Sequence, residues 1–150
     1  MITNIHTTEN TMGCDIHVYT EEKINDAWVN TSGLESWFRP NASARSVGMY
    51  RDYWMFAFLA KVRGEFTFSF DAKGLPEDVS LEVDNAAKDW YANAHTHSYR
   101  TKTEIEEKRA SLILEPTTAE TSHTFKVIKD ILELFTDSIN EQRIVFWFDN

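Results

Sequence analysis

Asp15 and His17 stand two residues apart in "MGCDIHVYTEE" (12–22), and His95 and His97 stand two apart in "NAHTHSY". In an extended segment, residues i and i+2 share a face, about 6.6–7 Å apart along the backbone. Two chemistries suit such pairs. In the first, neutral imidazoles two apart converge on a divalent metal. Asp15, His17, His95 and His97 then form an N/O ligand set fit for zinc, manganese or iron. In the second, no metal is needed. His17 or His97 acts as a general base, Asp15 or Asp52 orients it, and Arg51 neutralises a developing anion. The candidate catalytic residues are therefore Asp15, His17, Arg51 and Asp52. Each has a plainer reading: strand histidines held by hydrogen bonds, and an Arg51-Asp52 step that forms a surface ion pair or caps a helix.

Other chemistries are disfavoured by the residues themselves. Cys14 alternates with Ile16 and Val18, which assigns its thiol to an apolar face as a small hydrophobe rather than a nucleophile. A two-histidine phosphoesterase needs two His-x-Ser/Thr triplets. His6-Thr7-Thr8 is one, but the triplets from His17, His95, His97 and His123 do not fit. No phosphate-binding glycine loop, no G-x-S-x-G elbow and no cysteine-based zinc motif occurs.

These residues must be carried by a chain of 150 residues with 42% hydrophobic and 26% charged residues, a globular composition. That length suits one domain with a sizeable core. Ten Phe, five Trp and five Tyr predict an aromatic core or an aromatic binding surface. The net charge of −9 repels phosphate backbones, so broad nucleic-acid binding is not expected. One cysteine excludes an internal disulfide, and no run of about 18 apolar residues predicts a membrane span. A cytoplasmic protein is expected.

Along the chain, "CDIHVYTEE", the turn Asn25-Asp26 and residues 27–30 read as a β-hairpin. Residues 32–48 read as a loop. "MYRDYWMFAFLAKVRG" reads as an apolar helix ending near Gly64, and "EFTFSF" as a strand with Phe66, Phe68 and Phe70 on one face. One short helix is expected within "LEVDNAAKDWYANA". After an extended start at His95, a helix is expected over about 103–113. Thr101 or Thr103 caps it, and Thr103 with Glu106 fits a capping box. Phe125, Ile128, Leu132 and Phe135 mark a further helix with Ser122 as N-cap. "RIVFWFD", apolar on both faces, reads as a central strand. The expected class is α+β: one domain over 12–150, an antiparallel or mixed β-sheet, and two or three helices packed mainly on one face. Residues 1–11 are a polar extension, and Met12 is an alternative start.

The ordered segments "MGCDIHVY", "RDYWMFAFLAKVRG", "GLPEDVSLEV", "HTHSY" and "RIVFWFDN" resemble a family of small bacteriophage- and prophage-encoded proteins that open with M-G-C-D-I-H. The resemblance covers most of 12–150. It implies a setting, the host bacterial cytoplasm, rather than an activity. It implies a start at Met12, and Tyr99 departs from a frequent Trp. Its motif-bearing polar positions here are Asp15, His17, Arg51, Asp52, Asp78, His97 and Ser98. Two functions are expected on this footing. One is a small hydrolase or nucleotide-handling enzyme acting on a phosphoester or nucleotide, with or without a divalent metal. The other is a non-enzymatic phage accessory protein that inhibits a host defence factor, by binding a protein or by capturing a nucleotide signal.

Overall fold

A computed structural model describes residues 13–33, 43–49, 51–90 and 92–150. The expected extension over 1–11 lies outside them. Within them are four strands, β1 (Asp15–Ile24), β2 (Ala27–Asn30), β3 (Ala94–Thr101) and β4 (Gln142–Asp149). There are four helices, α1 (Tyr53–Ala60), α2 (Leu81–Asp89), α3 (Lys102–Ile113) and α4 (Ala119–Leu132). The sheet order is β2-β1-β4-β3 and every pairing is antiparallel. This is an α+β fold, with one helix beyond the expected two or three.

Local chemistry accounts for most boundaries. Asn25 and Asp26 both take positive φ (50° and 65°), the conformation a two-residue hairpin turn demands. The first and last strands among the described residues are the two central ones, and β4 is buried from Gln142 to Phe148. α1 begins only at Tyr53, because Asp52 caps it by accepting from the Trp54 and Met55 N–H groups at 3.0 and 3.3 Å. It is buried from Met55 to Ala60, as befits a helix apolar all round.

Three expectations need correction. Phe66, Phe68 and Phe70 are not on a strand. Ser69 N–H donates to the Phe66 carbonyl at 3.1 Å, folding a turn. Phe66 then stacks on Trp54 and Phe70 meets Phe58 edge-on. Alternation alone cannot distinguish such a turn from a strand when no partner strand is free. α3 is capped by Thr101, one of the two expected caps, but the capping box pairs it with Glu104 rather than Thr103 with Glu106. α4 is capped by Thr118 rather than Ser122 and ends at Leu132, short of Phe135. In both helices an equivalent hydroxyl, two residues earlier in α3 and four in α4, takes the cap.

The sheet is covered unequally. α1, α3 and α4 pack on one face through Phe56, Leu59, Ile105, Leu112, Ile128 and Ile131 against Ile16, Val18, Ile144, Phe146 and Phe148. Cys14 is buried in this core, as its alternation implied. The other face carries α2, whose Val83, Ala86 and Ala87 pack on Tyr19, Val145 and Trp147. A buried ion pair anchors α2 there. Arg143 Nε donates to Glu21 Oε1 at 2.7 Å, and Glu21 Oε2 accepts from the N–H of Ser80, the α2 N-cap, at 2.8 Å. Arg143 also donates to Asp78 at 2.9 Å and lies over Trp28.

Candidate active site

The α2 face of the sheet presents rows of side chains across β1, β4 and β3. Register puts Asp15 opposite Asp149, and His17 opposite Trp147. Within this arrangement His17 Nε2 makes a short hydrogen bond to Asp149 Oδ2. Their side chains are 14% and 19% exposed. Trp90, the residue that ends α2, lies against the imidazole with ring centroids 4.1 Å apart. Trp147 flanks it at 6.3 Å.

His17 lines a cleft of about 690 Å³ whose walls include Tyr19, Arg45, Ser46, Asp89 and Trp90. Three segments fix its shape. The outer edge of β1 is unpaired by β2 at Val18 and is met there by Val47, whose N–H donates to the Val18 carbonyl at 2.7 Å. Ser46 Oγ accepts from Val18 N–H at 2.9 Å. Ser43 donates to Asp89 at 2.7 Å and Ala44 N–H to the Glu82 carbonyl at 2.8 Å, which tie the loop to α2. Arg45 is exposed at this cleft and makes no ion pair among the described residues.

The H-x-H pair does not share a face. Thr96 has φ 56°, and β3 shifts register between His95 and Ser98. Thr96 and His97 together oppose Trp147, a β-bulge. His95 consequently stacks over Phe148 on the three-helix side, and His97 packs on Trp147 on the α2 side. His95 is further held by Thr96 Oγ1 at 2.9 Å and by Asn150. The expected four-ligand set of Asp15, His17, His95 and His97 is thereby divided. Among the described residues, no group of three or more His, Cys, Asp or Glu stands where it could hold a metal ion. Burial, with the neighbouring His95, lowers the pKa of His97 below the ordinary histidine value.

Asp15 and Asp52 serve other partners. Asp15 receives Arg51 Nε at 2.6 Å and a second guanidinium nitrogen at 3.2 Å, in a pair about half exposed. Those hydrogen bonds hold the Asp15 carboxyl below its ordinary pKa. The Arg51 guanidinium lies close over Gly13, where a Cβ would oblige it to shift. Asp52 spends its carboxylate on the α1 cap. The carboxylate that orients His17 is therefore Asp149, which the sequence reading did not single out. Trp90 and Arg45 were missed as well. Alternation from Trp147 to Asp149 was visible in the last strand, but only the β1–β4 register brings Asp149 to His17.

The arrangement has a defined chemical capacity. A carboxylate accepting from Nε2–H fixes the tautomer that leaves the lone pair on Nδ1, the form able to take a proton. The imidazolium so formed is faced by Asp149 and the π face of Trp90. No family model, curated protein or solved structure matches the chain.

Proposed function

We propose that the protein hydrolyses a phosphoester of a small, nucleotide-sized substrate in this cleft, with His17 as general base and Asp149 as the group that orients it. The observation that carries this reading is His17, hydrogen-bonded to Asp149, in the wall of a cleft large enough for such a ligand. His17 takes a proton from a water as its oxygen forms the new bond to phosphorus, and the leaving oxygen departs with the bonding pair. Arg45 offers a cation to the phosphoryl oxygens, and Trp90 offers aromatic surface to a base. The net charge of −9 supports a small substrate over a polyanionic strand. A phage or prophage gene acting in the host cytoplasm, as the resemblance implies, belongs to the same proposal.

The aromatic wall also supports a second reading, in which the cleft captures a nucleotide signal without turning it over. One experiment separates the two. The full chain is assayed for turnover of bis(p-nitrophenyl) phosphate and of mono-, di- and cyclic nucleotides, and nucleotide binding is titrated calorimetrically. Hydrolysis that falls about 10²–10⁴-fold in His17→Gln supports catalysis. Turnover unchanged in the variant overturns it. Stoichiometric binding with no product favours capture.

A further inference from the structure

The cleft that holds His17 carries two opposite charges that do not meet. Arg45 and Asp89, the last residue of α2, both line it, and neither makes an ion pair among the described residues. Asp89 is exposed there. Its side-chain partner among the described residues is Ser43, whose hydroxyl donates to Oδ2 at 2.7 Å. The neighbouring Lys88 turns away to Asp84 at 2.9 Å. A carboxylate has about four acceptor sites on its two oxygens, so Ser43 leaves Oδ1 and one site of Oδ2 open. The helix does not call for this charge, because a carboxylate in the last turn faces the negative end of the helix dipole. A neutral acceptor would hold Ser43 equally well. The charge also repels the phosphate that the cleft is read as taking. It is unfavourable in such a site unless the ligand brings N–H donors to it. Asn93, four residues on, lines the same cleft, and its N–H donates to the Trp90 carbonyl at 3.0 Å in the turn that follows α2. Its side-chain amide has no partner among the described residues and adds a donor beside the Asp89 acceptors.

We propose that the cleft selects a guanine nucleotide, with Asp89 reading the base and Asn93 assisting it. This rests on the reading of the cleft as a nucleotide site and names the base that such a site takes. Guanine presents two adjacent donors on its Watson–Crick edge, N1–H and the 2-amino group, and these match the two oxygens of one carboxylate. The O6 acceptor beside them takes a hydrogen bond from the Asn93 amide. The other bases each turn an acceptor toward the carboxylate. Adenine brings an unprotonated N1, cytosine an unprotonated N3, and uracil a single N–H between two carbonyls. Such mismatches exclude a ligand as effectively as good contacts attract one. Arg45 is left for the phosphate, and Trp90 for the face of the ring.

The test titrates the full chain carrying His17→Gln, which lacks the proposed base, with GMP, IMP, AMP and CMP by calorimetry. GMP is expected to bind about tenfold or more tighter than AMP and CMP, the scale of one good bidentate pair. IMP, which lacks the 2-amino group, should fall between. Asp89→Asn keeps the shape and an acceptor for Ser43 but turns an N–H toward the guanine donors. It should abolish the advantage of GMP without weakening AMP. The unaltered chain with guanosine and adenosine, which hold no phosphate to cleave, repeats the comparison without either substitution. Equal affinity for the guanine and adenine compounds overturns the proposal and leaves the nucleotide cleft standing. A guanine preference that survives in Asp89→Asn also overturns it. Binding of none of the nucleotides removes both the selectivity and the reading beneath it. A guanine preference without hydrolysis supports the proposal, with capture in place of catalysis.

Discussion

His17 and His97 flank the same indole, yet the fold gives them different electrostatic positions. His17 has a carboxylate partner in Asp149, whereas His97 packs on Trp147 with its proton disfavoured by burial and by His95. This difference has a pH consequence. The folded-state pKa of His97 lies below that of an unfolded-chain histidine, about 6.5. Between those two values the unfolded chain binds the extra proton. Stability therefore falls as pH drops through about 6.5, and levels off below the folded-state pKa. In His97→Gln this loss should disappear. Urea unfolding of both proteins at several values between about pH 5 and 8 measures it. Parallel stability curves would sink the assignment. The imidazoles and Asp15 were legible in the sequence as residue types. Their partners were not, because a hydrogen bond from β1 to the end of β4 spans 132 positions.

At the scale of elements, two devices position the site. The bulge at Thr96 moves one histidine of the pair to each face. No residue type announces it, since a β-branched Thr at positive φ runs against local preference. The hairpin turn at Asn25-Asp26, by contrast, was readable because both residues tolerate that conformation. The second device is the Glu21–Arg143 pair, which ties the start of α2 to the sheet and so places Trp90 at its far end. Both side chains are almost wholly buried, at 0% and 3% exposed. Glu21→Gln leaves the Arg143 charge without its buried counter-ion and should cost about 3–5 kcal/mol, the range for breaking such a pair. Chemical denaturation reads the cost directly. A loss below about 1 kcal/mol would show that Asp78 alone holds Arg143.

For the whole molecule, the central strands come from opposite ends of the described chain, so the core closes only when β1 and β4 meet. Cys14, at the head of β1, is sealed inside that core, and burial pushes its thiol pKa up. Maleimide labelling of Cys14 should therefore be negligible in the native protein and should track global unfolding in denaturant. Rapid labelling without denaturant would mean that the head of β1 opens locally. No helix among the described residues is long and apolar enough to cross a membrane.

The sequence by itself determined the fold class, the hairpin, the central placement of "RIVFWFD" and the core role of Cys14. These depend on periodicity and turn chemistry, which act over a few residues. It also marked Asp15, His17, Arg51 and His97 as chemistry-bearing types. Only the tertiary structure decided that Asp149 orients His17, that Asp15 belongs to Arg51 and that Asp52 is a helix cap. It likewise decided that the two histidines of "HTH" face opposite ways. The physical reason is register: a one-residue shift in one strand reverses every side chain beyond it, and that shift is set by long-range pairing. The histidine of the opening stretch, His17, is hydrogen-bonded to a carboxylate, Asp149, at the far end of β4.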